Sequence, residues 1–189
     1  MTGPPQNPRE HGFTLIELLV YVTFMVVILS IIGGMLISSL RVENDVRDAT
    51  SASDVGQLIS QSVQTGVRNA SAVSLQNLGT DQLLRARTAS AGATLQWVCQ
   101  SWYVTPENGG SIYTKRSAPA AAIPAPTSTT LPTWIKLGDG IAVAGGPVFG
   151  GVDGRVTLTL RLDAGDATPV ALDSTATLRT LASRSDPCF

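Results

Sequence analysis

Three hydrophobic spacings follow one another along the chain. From Leu18 to Leu40 no residue is charged, a run long enough to cross the roughly 30 Å hydrocarbon core of a bilayer as a helix. A wet stretch follows, with Arg41, Glu43, Asp45, Arg47 and Asp48. Val55, Ile59, Val63 and Val67 then recur at i+4, with Leu58 alongside. Asp54, Gln57, Gln61 and Gln64 fall elsewhere on the surface, so the pattern is that of an amphipathic helix packing one stripe on a domain. Read as continuous from Phe13 to about Val67, this helix is on the order of 80 Å long. Gly33-Gly34 interrupts it. Each glycine there costs about 1 kcal/mol relative to alanine. Two readings of the pair stand side by side: close helix–helix packing, or a weak point where the helix loosens.

From Leu75 onward the spacing changes to that of strands. Thr94–Val104 is rich in aromatic and β-branched residues. Ser111–Lys115 follows across the turn-forming Pro106-Glu107-Asn108-Gly109-Gly110, which predicts a hairpin. Trp134–Leu137 reads as a third short strand. Arg155–Leu162 alternates cleanly, as a half-buried strand does, and Thr175–Leu181 reads as its partner across Asp163–Pro169. Ala118–Pro132 is low-complexity, with Pro119, Pro124, Pro126 and Pro132 among alanines, serines and threonines. It reads as an exposed loop of polyproline character with no packed core of its own. The expected fold class is therefore α+β, one long helix followed by an antiparallel sheet.

One carboxylate stands at the head of the apolar run: Gly12-Phe13-Thr14-Leu15-Ile16-Glu17-Leu18-Leu19-Val20. An acid in mid-membrane costs roughly 2.5–3.5 kcal/mol, and less toward the interface. The first helical turn favours it by a few tenths to about 1 kcal/mol through the macrodipole. Gly12 to Glu17 resembles the type III signal of type IV prepilins and pseudopilins. The resemblance covers residues 9–40 strongly and the rest only in layout. It implies cleavage after Gly12, N-methylation of Phe13 as the new N-terminus, and an assembly role for Glu17. Phe13 and Glu17 are spaced i, i+4 and share a helix face. Glu17 of one subunit would thus neutralise the Phe13 ammonium of a neighbour, offsetting the burial of both charges. An ordinary secretory signal fits less well, because its apolar core runs about 7–15 residues and ends at a small-residue cleavage site.

The resemblance divides the chain into a leader (1–12), a transmembrane and assembly helix (13–40), its amphipathic continuation (41–70) and a β-rich domain (71–189) carrying the loop 118–132. It implies a pilin-like fold and four partners: a prepilin peptidase and methyltransferase, sibling pilin or pseudopilin subunits, an assembly platform, and the bilayer before assembly. Charge around the span does not orient it, since Arg9 precedes it and Arg41 and Arg47 follow. Family likeness places the N-terminus in the cytoplasm and the domain outside, first on the cytoplasmic membrane and then in an extracytoplasmic filament.

Cys99 and Cys188, even in number, suit an oxidising compartment. A bond between them would close a loop worth roughly 4–5 kcal/mol on the chain-entropy model. Many pilins carry such a bridge; the alternative is two buried free thiols. Other chemistry is sparse. The single histidine, His11, lies in the leader, so the trimmed chain has no imidazole for general-base, Ser-His, Cys-His or ordinary zinc chemistry. Asp163 with Asp166, Asp139 with Gly140 and Asp153 with Gly154 lack the dense oxygen spacing of calcium loops and suit turns. With a net charge of −1 and 5% aromatics there is no basic, aromatic-interleaved tract for nucleic acid. The sequence reading is a non-enzymatic structural subunit, a minor pilin or pseudopilin of a pilus, secretion or DNA-uptake machine, with no catalytic, cofactor or metal residues. The alternative is a single-pass membrane-anchored extracytoplasmic binding domain that never polymerises.

Overall fold

The structure, a computed structural model, describes residues 14–90, 95–143, 146–151, 154–179 and 186–189. Among the described residues one α-helix, α1, runs Leu15–Arg68, and eight strands follow: β1 (Ala70–Leu78), β2 (Asp81–Ala89), β3 (Trp97–Thr105), β4 (Ser111–Ser117), β5 (Ile135–Asp139), β6 (Phe149–Gly150), β7 (Arg155–Leu162) and β8 (Val170–Thr177). They form two antiparallel sheets, β1-β2-β3-β4-β5 and β6-β7-β8. The chain is thus α+β, with one long N-terminal helix. It divides into two compact units between Asn44 and Asp45. Residues 45–68 of α1 therefore belong to the same unit as the sheets.

In that unit the amphipathic stripe does what its spacing predicts. Ile59, Val63 and Val67 are fully buried and Val55 partly so, in a main core shared with Leu84, Trp102, Val104 and Ile112 of the first sheet and Phe149, Leu158, Leu160 and Leu162 of the second. Each such side chain removed from water contributes roughly 1.5–3 kcal/mol. Leu58 departs from the expectation. It is 52% exposed, because a step of one residue from Ile59 turns a side chain about 100° round the helix. The helix comes down on the sheets through glycines. A Cβ on Gly66 would lie 2.2 Å from Trp102 Cη2, and one on Gly56 3.0 Å from Leu162 Cδ1. The Trp102 indole N–H, buried by this approach, donates to Ser62 Oγ at 3.0 Å.

The strand expectations hold in part. The β3–β4 hairpin forms with Tyr103 opposite Tyr113, β5 starts one residue later than expected, and β7 alternates as read, with Val156, Leu158, Leu160 and Leu162 inward. Its partner is displaced: β8 covers Val170–Thr177, so pairing begins directly after the Asp163–Pro169 turn. Residues 180–181 of the expected strand lie outside the described residues. The sheet also begins earlier, at Ala70, with a β1–β2 hairpin closed by Gly79-Thr80, Gly79 sitting at φ +74° as a tight hairpin turn demands.

The Ala/Pro-rich segment corrects the reading most. It is not a coreless loop. Ile123 is 4% exposed and joins Leu83, Cys99, Tyr103, Trp134 and Cys188 in a second, outer core, with Ala120, Ala125, Leu131 and Phe189 packed against it. This core lies on the face of the first sheet opposite the main core: in β3, Cys99 and Tyr103 enter it while Trp102 and Val104 enter the other. Burial there pushes the Tyr103 phenol up to about 12, and the Asp81 carboxylate accepting its hydrogen bond adds to the rise.

Candidate functional site

The sequence places its functional residues at the N-terminal end of α1. Gly12 and Phe13 lie outside the described residues. Thr14 immediately precedes the helix. Its Oγ1 accepts from the Glu17 N–H at 3.4 Å, and its carbonyl accepts from the same N–H at 3.1 Å and from Leu18 N–H at 3.2 Å. Thr14-Leu15-Ile16-Glu17 therefore has the T-x-x-E form of a capping box, with Glu17 at the third helical position. The sequence carried this signal openly, and it gives Glu17 a second physical reason to stand here: a carboxylate in the first turn faces the positive end of the macrodipole. No hydrogen bond or ion pair to its carboxylate exists among the described residues.

Beyond the cap, α1 is built for an apolar surrounding. Leu18, Leu19, Phe24, Val27, Ile31, Ile32, Leu36 and Leu40 are all more than half exposed, so this part of α1 is no core helix of the chain's own fold. By length and composition it is a candidate single membrane span near the N-terminus. Two of its hydroxyls are satisfied within the helix: Thr23 Oγ1 donates to Val20 O at 2.8 Å, and Ser30 Oγ to Val26 O at 2.9 Å. Unbonded, each would cost several kcal/mol in hydrocarbon. Nothing lies within 4 Å of where a Cβ on Gly33 or Gly34 would stand.

The two cysteines meet. Cys99 of β3 and Cys188 are joined in a disulfide with Cα atoms 5.4 Å apart, across a sequence separation of 89. Both are buried in the outer core. Two of the aspartates weighed as calcium ligands are occupied locally. Asp163 Oδ1 accepts from Gly165 N–H at 3.0 Å, and Asp139 pairs with Lys136; Asp153 lies outside the described residues. Among the described residues no group of three or more His, Cys, Asp or Glu side chains converges on a point. Several cavities of the domain, of about 340–450 Å³ each, open to solvent; one of about 450 Å³ is lined by Leu58, Gln61, Thr65, Gln100 and Arg116.

No protein-family model matches the chain, and neither a curated protein nor a solved structure resembles it significantly.

Proposed function

We propose that the chain is a structural subunit, a minor pilin or pseudopilin, processed at Gly12–Phe13 and assembled through its N-terminal helix into a type IV pilus or a secretion or DNA-uptake pseudopilus. The observation that carries this reading is a juxtaposition. The Gly12-Phe13-Thr14-Leu15-Ile16-Glu17 motif runs straight into a capped helix whose next 23 residues, Leu18–Leu40, are uncharged. The work of such a subunit is assembly. A membrane peptidase removes residues 1–12 and a methyltransferase modifies the Phe13 amine. The Thr14 cap survives the cut, since Thr14 becomes the second residue.

Within the membrane the Glu17 carboxylate and the Phe13 ammonium of a neighbouring subunit neutralise each other, which removes the cost of burying either alone. The domain then rides outside on the amphipathic half of α1, in an oxidising compartment where the Cys99–Cys188 bond persists. Intact-mass and N-terminal peptide spectrometry of the membrane-extracted protein tests the reading. A chain beginning at methylated Phe13 is the expected result. A chain still beginning at Met1, in cells that process other prepilins, overturns it and leaves a membrane-anchored binding domain.

A further inference from the structure

Residues 118–134 cross the outer face of the first sheet as a strap. Its backbone hydrogen bonds, among the described residues, are all internal: Thr130 and Leu131 N–H to Thr127 O, Thr133 N–H to Thr130 O, and Trp134 N–H to Leu131 O. Side chains tie it to the sheet at its two ends only, through Ser117 Oγ donating to Pro119 O and Lys115 Nζ donating to Thr133 Oγ1. What seats it is packing. Ile123 and Trp134, 4% and 7% exposed, close over Leu83 and Tyr103, with Cys188 in the same cluster.

The segment 186–189, which supplies Cys188, makes no backbone hydrogen bond to the sheet among the described residues. It is held by the disulfide to β3 and by Phe189, whose ring lies 5.8 Å from the Arg85 guanidinium. The main core differs in kind. It joins α1 to both sheets, and every strand in it is held by ladder bonds. A segment attached by few side chains and no ladder is a unit of low local stability.

We propose that the Cys99–Cys188 bond is the clasp of this strap: in the dithiol chain the strap and segment 186–189 swing free of the sheet while the main core stays folded, and oxidation closes them down. The step is a thiol–disulfide exchange. One cysteine thiolate attacks an oxidant disulfide and expels a thiolate, and the second cysteine then displaces the remaining oxidant sulfur. Two cysteine thiols and one oxidant disulfide become one protein disulfide and two oxidant thiols, so two electrons and two protons leave the protein. The outer face of the first sheet, with Leu83 and Tyr103, is thus open in a reducing compartment and covered in an oxidising one. This holds whether or not the chain is cut at Gly12.

Hydroxyl-radical footprinting of the full chain in detergent micelles tests it, comparing the oxidised protein with the protein reduced by a phosphine and with a Cys99→Ser/Cys188→Ser variant. Labelling of Trp134, Ile123 and Tyr103 should rise on the order of tenfold in both samples that lack the disulfide. Trp102, fully buried in the main core, should stay unlabelled. Unchanged labelling of Trp134 overturns the proposal. So does a parallel rise at Trp102, which would make both cores one cooperative unit.

Discussion

The two halves of α1 are one helix with two kinds of surface. In Leu18–Leu40 apolar side chains point outward on every side; in residues 45–68 most are gathered into a stripe, with Ala52, Ile59, Val63 and Val67 inward and Gln57, Gln61 and Thr65 outward, Val46 and Leu58 being the exposed exceptions. Polar groups differ in the same way. Ser30 in the first half returns its hydroxyl to its own helix, whereas Ser62 in the second accepts from a sheet tryptophan. The glycines differ most. Gly33 and Gly34 face open space, and Gly66 sits against the Trp102 ring. A helix needs no change of backbone to serve both purposes. The side-chain pattern alone decides which face, if any, it buries in the chain's own core.

Matched substitutions in the two halves measure this difference, read as chemical denaturation of the domain by tryptophan fluorescence in micelles. Ile59→Ala, at a fully buried site, should cost about 2–5 kcal/mol. Ile31→Ala, 55% exposed in the first half, should leave the domain transition where it is. Equal effects would mean that the halves fold as one unit. Gly66→Ala comes next. Its Cβ would stand 2.2 Å from the Trp102 ring, and overpacking of this kind costs about 1–3 kcal/mol, against which the helix gains about 1 kcal/mol from losing a glycine. The net should be destabilising, whereas Gly34→Ala, which meets nothing and lies outside the domain's unit, should leave the domain transition where it is. A Gly66→Ala domain as stable as the parent would show that the close approach is not required.

What could be read from the sequence follows the same logic of one face or two. The stripe on α1 and the alternation in β7 were legible because each buries a single face, so the period survives in the residues. β2 was not. Leu83 serves the outer core and Leu84 the main core, and adjacent leucines erase a period of two. The strap was misread because its anchoring rests on Ile123 and Trp134, and a lone isoleucine among alanines and prolines gives no period at all. At the start of α1 the sequence also carries the Thr14 cap as T-x-x-E, a signal that stands beside the one in which Glu17 is weighed for assembly.

Ser62→Ala sharpens the comparison at smaller scale. It leaves the buried Trp102 N–H without its acceptor, which should cost about 1–3 kcal/mol if no water replaces it. Ser30→Ala removes a hydroxyl bonded only to its own helix and should not move the domain transition. Should Ser62→Ala prove neutral, the Trp102–Ser62 hydrogen bond would add nothing to the apolar contact and the Ser60–Ser174 bond that also hold the helix.

The smallest effect is the most discriminating. Leu58 neighbours Ile59 in sequence and shares its hydrophobicity, yet it is 52% exposed where Ile59 is buried. Leu58→Ala should therefore shift stability by no more than about 0.5 kcal/mol, as surface changes do. By exposure it belongs with Leu29 and Leu36 of the first half, apolar side chains that the chain's own fold leaves uncovered. A cost matching that of Ile59→Ala would place Leu58 in the core and widen the stripe by one position. A null result keeps the stripe narrow and leaves Leu58 as the point where the outward character of the first half reappears within the domain.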